Sequence, residues 1–305
     1  MYHGIINIYK EAGYTSHDVV AKLRGILRQK KIGHTGTLDP DAVGVLPVCL
    51  GVGTRLCDML AGETKEYVAE LRLGITTDTQ DMSGTVLSRK DAVVSKEEAV
   101  QAIYSFLGNY EQVPPMYSAL KVNGKKLYEL ARQGKEVERK ARSVRIEELE
   151  ILQMELPVIR FRVVCSKGTY IRTLCDDIGR KLGCGGVMQS LTRTRVGQFP
   201  AADALTVSDV ERCRDDGSLS RYIIPVDQVF SHLHAVYVKD GYLKLPVNGN
   251  RLHAQMIHGD YAYHDSEQVR VYGGQDIFFG IYRYEKEPEM FFPVKMFLSG
   301  DEGGK

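Results

Sequence analysis

Apolar positions along this chain recur with two periods, near two and near 3.6 residues, and the switches between them mark the elements. Residues 4–9 (Gly-Ile-Ile-Asn-Ile-Tyr) predict a short strand, followed by a turn through Gly13. Ser16 then reads as an N-cap for a helix whose buried side carries Val19, Val20, Leu23, Ile26 and Leu27. Alternation of Tyr67, Ala69, Leu71 and Leu73 against Val68, Glu70 and Arg72 predicts a half-buried strand. Residues 95–107 predict a helix capped by Ser95, with Glu98 completing a capping box. Ile159, Phe161, Val163 and Cys165, interleaved with Arg160 and Arg162, predict a further strand. Beyond Lys167-Gly168, Thr169 reads as the cap of a helix with an Ile171, Leu174, Ile178, Leu182 stripe, closed by Gly183. Residues 33–53, rich in Gly and Pro, read as a shaped loop. After Pro225 the texture becomes short β-like pieces, placing a domain boundary near residue 229.

Composition narrows the picture. With 305 residues, two domains are expected. A hydrophobic share of 43% and a charged share of 26% exclude a disordered chain. The longest apolar-leaning stretch, 42–52, is too short and too broken by Gly and Pro to span a bilayer. No basic segment followed by an apolar one opens the chain, so a cytoplasmic protein without membrane attachment is expected. Six cysteines without a Cys-x-x-Cys pair argue against a zinc site or a disulfide framework and read as thiols of the interior. Motifs for a P-loop, a Rossmann cofactor site, a zincin helix and a Gly-x-Ser-x-Gly elbow are all missing from the sequence.

Net charge, 40 basic against 39 acidic residues, gives no reason by itself to expect nucleic acid. The local balance does. Between Lys121 and Arg145 nine Lys or Arg face three Glu, with Tyr117 and Tyr128 in or beside the stretch. Cations interleaved with aromatics suit a phosphate backbone and unstacked bases, although a solvated helix would look similar. The segment Gly33-His34-Thr35-Gly36-Thr37-Leu38-Asp39-Pro40-Asp41 is the second anomaly. Pro40 pushes Asp39 into an extended conformation, and the flanking glycines allow a large ligand to approach. Either Asp39 or Asp41 could face such a site.

Residues 33–46 resemble the catalytic loop of the TruB family of tRNA pseudouridine synthases. Three further stretches are similar in the family's order. They are Lys65-Glu66-Tyr67 with Thr77-Asp78-Thr79-Gln80-Asp81, then Pro115-Met116-Tyr117-Ser118-Ala119-Leu120-Lys121 with Gly124-Lys125-Lys126-Leu127-Tyr128, and Cys165-Ser166-Lys167-Gly168-Thr169-Tyr170-Ile171-Arg172-Thr173. The resemblance covers about residues 4–227.

That resemblance implies an α+β pseudouridine-synthase fold over residues 1–228, a mixed and largely antiparallel sheet flanked by helices, with an RNA-gripping insertion at about 117–145. It implies a small β-rich PUA-like domain over 229–305, whose acidic balance from Gln255 onward does not favour phosphate. The implied reaction isomerises uridine 55 in the T loop of tRNA after base flipping. Neither metal nor organic cofactor takes part, and the enzyme is a monomer needing no protein partner. Asp39 would be the nucleophile, attacking C6 of the base or C1′ of the sugar, with Arg172 beside it lowering its pKa by about 1–3 units. Tyr67 would stack on the uracil and accept the C5 proton, Tyr170 and Leu191 would line the pocket, and His34 would hold the opened loop. Lys121, Lys125 and Lys126 would grip phosphates. Lys10 lies where the family carries Lys-Pro-x-Gly; here Lys10-Glu11-Ala12-Gly13 lacks the proline, which would loosen its placement. Two rivals share the residues: a glycosylase that releases uracil, and an RNA-binding module in which Asp39 is inert.

Overall fold

In a computed structural model, residues 1–122, 124–259 and 261–298 are described. Strand β1 (Gly4–Lys10) is buried on both faces: Ile6 and Ile8 pack against helix α1 (Ser16–Leu27), while Ile5 faces Phe199 and Val226. Thr15, not Ser16, caps α1, through a reciprocal box with Asp18. The shift frees the Ser16 hydroxyl to accept the Leu38 N–H at 2.9 Å, tying the following loop to the helix.

The second half of the expected 33–53 loop is strand β2 (Val43–Leu50), antiparallel to β1. A strand covered on both faces loses its alternation, and Gly44 and Pro47 disguised this one. Gly44, at φ +112°, lies against the Arg193 backbone, leaving no room for a Cβ.

Beside a short helix at Cys57–Leu60 and a two-stranded pair, Ile75–Thr77 with Val86–Arg89, this domain contains β3 (Lys65–Leu73), α2 (Lys96–Tyr104), β4 (Gly108–Gln112), α3 (Leu127–Arg132), β5 (Arg142–Glu155), β6 (Val158–Cys165), α4 (Ile171–Lys181), β7 (Gly186–Val196) and α5 (Val207–Asp215). Strand order is β1-β2-β7-β3-β6-β5-β4, with short pieces Ile32–His34 on β2 and Phe199–Pro200 on β7. Only β2 and β7 run parallel along this path, so the sheet is mixed and largely antiparallel, as expected. Alternation along β3 is strict, and its inner residues join Phe161, Val163, Leu174, Ile178 and Leu191 in the main core. Each such aliphatic or aromatic side chain contributes about 1.5–3 kcal/mol when fully buried.

Helix α2 starts with the expected Ser95–Glu98 box but ends at Tyr104, leaving Leu107 exposed. Thr169 does not cap α4. Its hydroxyl donates to the Ser166 carbonyl at 2.9 Å, and Tyr170 is the cap. Gln112, on β4, closes that end by accepting the Tyr170 N–H at 2.7 Å and donating to its carbonyl at 3.0 Å. The basic stretch forms a two-residue ribbon, Lys121–Val122 against Lys125–Lys126, and then α3. Residues 142–145 of the expected insertion instead pair with β4 inside the sheet.

A second sheet follows, from β8 (His234–Tyr237), β9 (Leu252–His253), β10 (Gln268–Tyr272), β11 (Phe278–Glu285) and β12 (Met290–Met296), in the order β8-β10-β11-β12-β9. It has its own core around Val236, Val271, Tyr282 and Phe291. Ile281 and Phe297 join Ile5, Cys49 and Phe199 in a cluster shared with the first domain. Arg55 stitches the two by donating to the Met296 and Leu298 carbonyls. Among the described residues no helix is long and apolar enough to cross a membrane. All six cysteines are free, and no three His, Cys, Asp or Glu side chains gather as metal ligands among the described residues.

Candidate active site

Asp39 leaves the loop between Ile32–His34 and β2, in a short turn closed by the Ala42 N–H on its carbonyl at 3.2 Å. Arg172, on the first turn of α4, meets it side-on: Nε to Oδ2 is 2.9 Å and Nη2 to Oδ1 is 3.2 Å. Such a bidentate fork fixes the carboxylate plane as well as its position. The Asp39 side chain keeps 37% of its surface open, whereas that of Arg172 keeps 6%. Asp41 is exposed and makes no ion pair among the described residues, so Asp39 is the carboxylate that faces Arg172.

Arg172 is itself held by the Thr79 carbonyl at 3.1 Å and the Tyr117 carbonyl at 3.0 Å, with Asp81 Oδ2 at 3.6 Å. Thr79 and Asp81 belong to the Thr77–Asp81 motif, whose Gln80 also bonds Thr173 and Asp176 of α4. The motif therefore aims a guanidinium, a role the sequence did not assign to it. Burial raises the Asp39 carboxyl above its ordinary value, and Asp81 adds to this, against the opposing charges of Arg172 and Lys10. The expected net lowering by Arg172 is thus reversed, because desolvation exceeds the attraction.

Lys10 has no accessible surface. Its ammonium donates to the carbonyls of Tyr14 at 2.6 Å, Pro40 at 2.9 Å and Glu11 at 3.0 Å. The missing proline does not loosen it, because three carbonyls from two loops converge on one cation. Burial holds its pKa down at about 8, with Asp39 and Asp41 opposing.

Tyr67 on β3 and Leu191 on β7 are nearly buried, in one cluster with Leu38 and Ile171. Burial pushes the Tyr67 phenol above its usual pKa, countered by Arg193. Tyr170, half-buried at the start of α4, is pushed the same way by burial and feels both Arg172 and Asp39. His34 accepts the Gly36 N–H on Nδ1 at 3.3 Å, and burial lowers its pKa, so the ring is neutral at pH 7. Lys121 and Lys125 are exposed on the ribbon, and Lys126 lies over the Tyr128 ring at 5.3 Å. The structure thus pairs Asp39 with Arg172, places Tyr67 and Tyr170 close enough to feel the Asp39 charge and Leu191 in the core cluster with Tyr67, and buries Lys10 against the Asp39 loop, with His34 on the same loop. The ribbon lysines stand apart from the carboxylate. Sequence reasoning missed Arg193, buried beneath the loop, and Gln112. Alternate positions around Arg193 include Gln189 and Arg195, so no apolar face in the sequence singled it out.

A carboxylate open on one side and pinned by a buried guanidinium can act as a nucleophile in covalent catalysis. The model of the TruB family pseudouridylate synthase N-terminal domain matches residues 24–171, and that of the tRNA pseudouridylate synthase B C-terminal domain matches 172–231. The chain is 49% identical to tRNA pseudouridine synthase B of Lachnoclostridium phytofermentans, over 97% of this chain and 100% of that one. To the protein of the same name from Clostridium kluyveri it is 50% identical, over 81% and 84% of the two chains. Among solved structures, a chain of a Cbf5-Nop10-Gar1 complex superposes with a TM-score of 0.73 at 29% identity, covering 99% of this chain and 87% of that one. A chain of an H/ACA RNP bound to a substrate RNA containing 2′-deoxyuridine gives 0.72 at 27%, covering 98% and 86%. With Asp39 and Arg172 inside the two matched regions, this chain belongs to the TruB family of pseudouridylate synthases, isomerases that turn uridine into pseudouridine.

Proposed function

We propose that this protein isomerises uridine 55 in the T loop of tRNA, with Asp39 as nucleophile on a flipped-out nucleotide. The observation that carries the reading is the Asp39 carboxylate, open on one side and held in plane by Arg172 on the other. In the reaction the C1′–N1 bond breaks, uracil turns in the pocket, C5 bonds to C1′, and the C5 proton leaves while N1 gains one. Asp39 attacks C6 or C1′, and either path requires it ionised. Tyr67, Tyr170 and Leu191 replace the stacking lost on flipping, which costs about a few kcal/mol. Tyr67 accepts the C5 proton as its phenolate, an ionised form that burial opposes and the neighbouring Arg193 favours. Lys10 and His34 hold the loop.

Residues 1–228 form the catalytic domain and 229–305 a PUA-like RNA-binding domain, of which residues 260 and 299–305 lie outside the described residues. The protein works as a cytoplasmic monomer without cofactor or protein partner. The test is a tRNA transcript tritiated at C5 of uridine. One equivalent of tritium should be released from the natural sequence, and none when position 55 is cytidine. Release of free uracil would instead support the glycosylase reading.

Two further outcomes follow from the site's charges. The rate should follow a bell in pH. Its acid limb reflects protonation of Asp39 and should lie above the ordinary carboxylate value of about 3.9. Its alkaline limb reflects loss of the Lys10 charge near pH 8, because only the protonated amine supports the Asp39 carboxylate. A single-turnover profile with no alkaline fall through pH 8, or with an acid limb at or below the ordinary carboxylate value, would contradict these assignments.

Affinity for tRNA should fall steeply with salt. Each phosphate contact contributes about 0.7–0.9 to the log–log slope, so Lys125→Ala or Lys121→Ala should each flatten it by roughly that amount. Filter binding between about 50 and 200 mM salt measures this. An unchanged slope would remove the ribbon from the RNA interface.

A further inference from the structure

Arg193, near the end of β7, is the largest side chain that lies fully within the protein, at 1% exposure. No carboxylate among the described residues comes within ion-pairing distance of it. Its partners are carbonyls: Nε donates to Val45 at 2.8 Å, Nη2 to Gly36 at 3.2 Å and Nη1 to Thr37 at 3.4 Å. Gly36 and Thr37 lie just before Asp39 in its loop, and Val45 lies in the strand after it. One rigid fork therefore spans both ends of the segment that carries the nucleophile. Lys10 clamps the middle of the same segment through Pro40.

Register places Arg193 directly opposite Tyr67 on the neighbouring strand β3, and opposite Gly44 on β2. Residues directly opposite project from the same face, so the guanidinium and the phenol are neighbours. Gly44 supplies no side chain there, and its tight approach leaves the space to the arginine. Burial raises the Tyr67 phenol, while the charge and hydrogen bonding of Arg193 act the other way. A buried cation without a counter-ion is a poor choice for stability alone, since an apolar side chain of similar volume serves a core as well or better.

We propose that Arg193 is a positioning residue for the isomerisation, its guanidinium setting at once the backbone of the Asp39 loop and the phenol of Tyr67. The inference rests on the functional reading above. The guanidinium itself has almost no accessible surface, so it acts through those two groups and not on RNA.

The test uses the full chain and unmodified tRNA, with Arg193→Lys, Arg193→Met, Tyr67→Phe, Arg193→Lys combined with Tyr67→Phe, and Asp39→Asn as reference. Single-turnover rate and tRNA Kd are measured below each variant's melting transition. Arg193→Lys keeps the charge but cannot span three carbonyls, and its rate should fall about a hundredfold, as expected for a reacting group misplaced by an ångström or so. Kd should stay within about threefold, since no RNA contact is lost. In the Tyr67→Phe background the same change should cost distinctly less, because part of its effect has already been removed. Arg193→Met removes the charge at similar volume and should lose at least as much rate, which keeps the test open if the lysine variant does not fold. Wild-type rates in the folded Arg193 variants, or parallel losses of rate and affinity, would overturn the proposal. Losses that multiply independently of Tyr67 would overturn its Tyr67 half. If Asp39→Asn is inactive while the Arg193 variants are normal, this inference alone fails. An active Asp39→Asn would instead remove the functional reading beneath it.

Discussion

Asp39→Asn is expected to lower pseudouridine formation by at least about a thousandfold, equivalent to about 4 kcal/mol of barrier, while leaving the fold and tRNA affinity in place. An amide fills the same volume and can accept one hydrogen bond from Arg172, but it is no nucleophile. Stability should not suffer at neutral pH. The folded-state pKa of Asp39 is raised, so the folded protein binds more protons than the unfolded chain between the ordinary value and the raised one. Stability therefore declines as pH rises through that window, and the ionised carboxylate costs stability above it. Asparagine removes that cost. Arg172 keeps the Thr79 and Tyr117 carbonyls as partners. A folded Asp39→Asn protein that binds tRNA and forms pseudouridine at the normal rate would mean that Asp39 is inert and the chain acts as a binding module.

Arg172→Ala should be the second large effect, with turnover falling about a hundredfold or more and tRNA Kd changing only a few-fold. The guanidinium joins three segments of chain, through Asp39, Thr79 and Tyr117, and only 6% of its side chain is open. Removing one partner of a buried ion pair costs about 3–5 kcal/mol, and less where one partner is open, as Asp39 is. The melting temperature should therefore drop, and rates belong well below it. Arg172→Lys retains a charge but not the side-on fork, and should regain stability before it regains rate. Equal losses of turnover and affinity would make Arg172 a phosphate contact.

Strand β3 was legible because one face is covered and the other is polar, so Tyr67, Ala69, Leu71 and Leu73 stand out against Glu70 and Arg72. Its neighbour β2 was not, since burial on both faces erases alternation and Gly44 and Pro47 read as loop residues. Caps slipped by one residue at Thr15 and Tyr170, where the hydroxyl next door, Ser16 or Thr169, serves a loop instead. Motifs named Asp39 and Arg172, which the structure pairs, yet their electrostatics depended on the fold. Whether Arg172 or desolvation decides the Asp39 pKa is set by how much water the loop keeps, which no spacing reveals. Arg193 and Gln112 act on backbone carbonyls and amides brought from elsewhere in the chain, and such partners leave no local pattern.

The most direct test of the account is the identity of the nucleotide at position 55 after incubation with the protein, read on a single purified tRNA by its intact mass and then by a carbodiimide label that stays on pseudouridine, followed by nuclease digestion and mass spectrometry. The expected product is one pseudouridine at that position, in RNA of unchanged mass. RNA lighter by one uracil, or uridine left intact there, would contradict it.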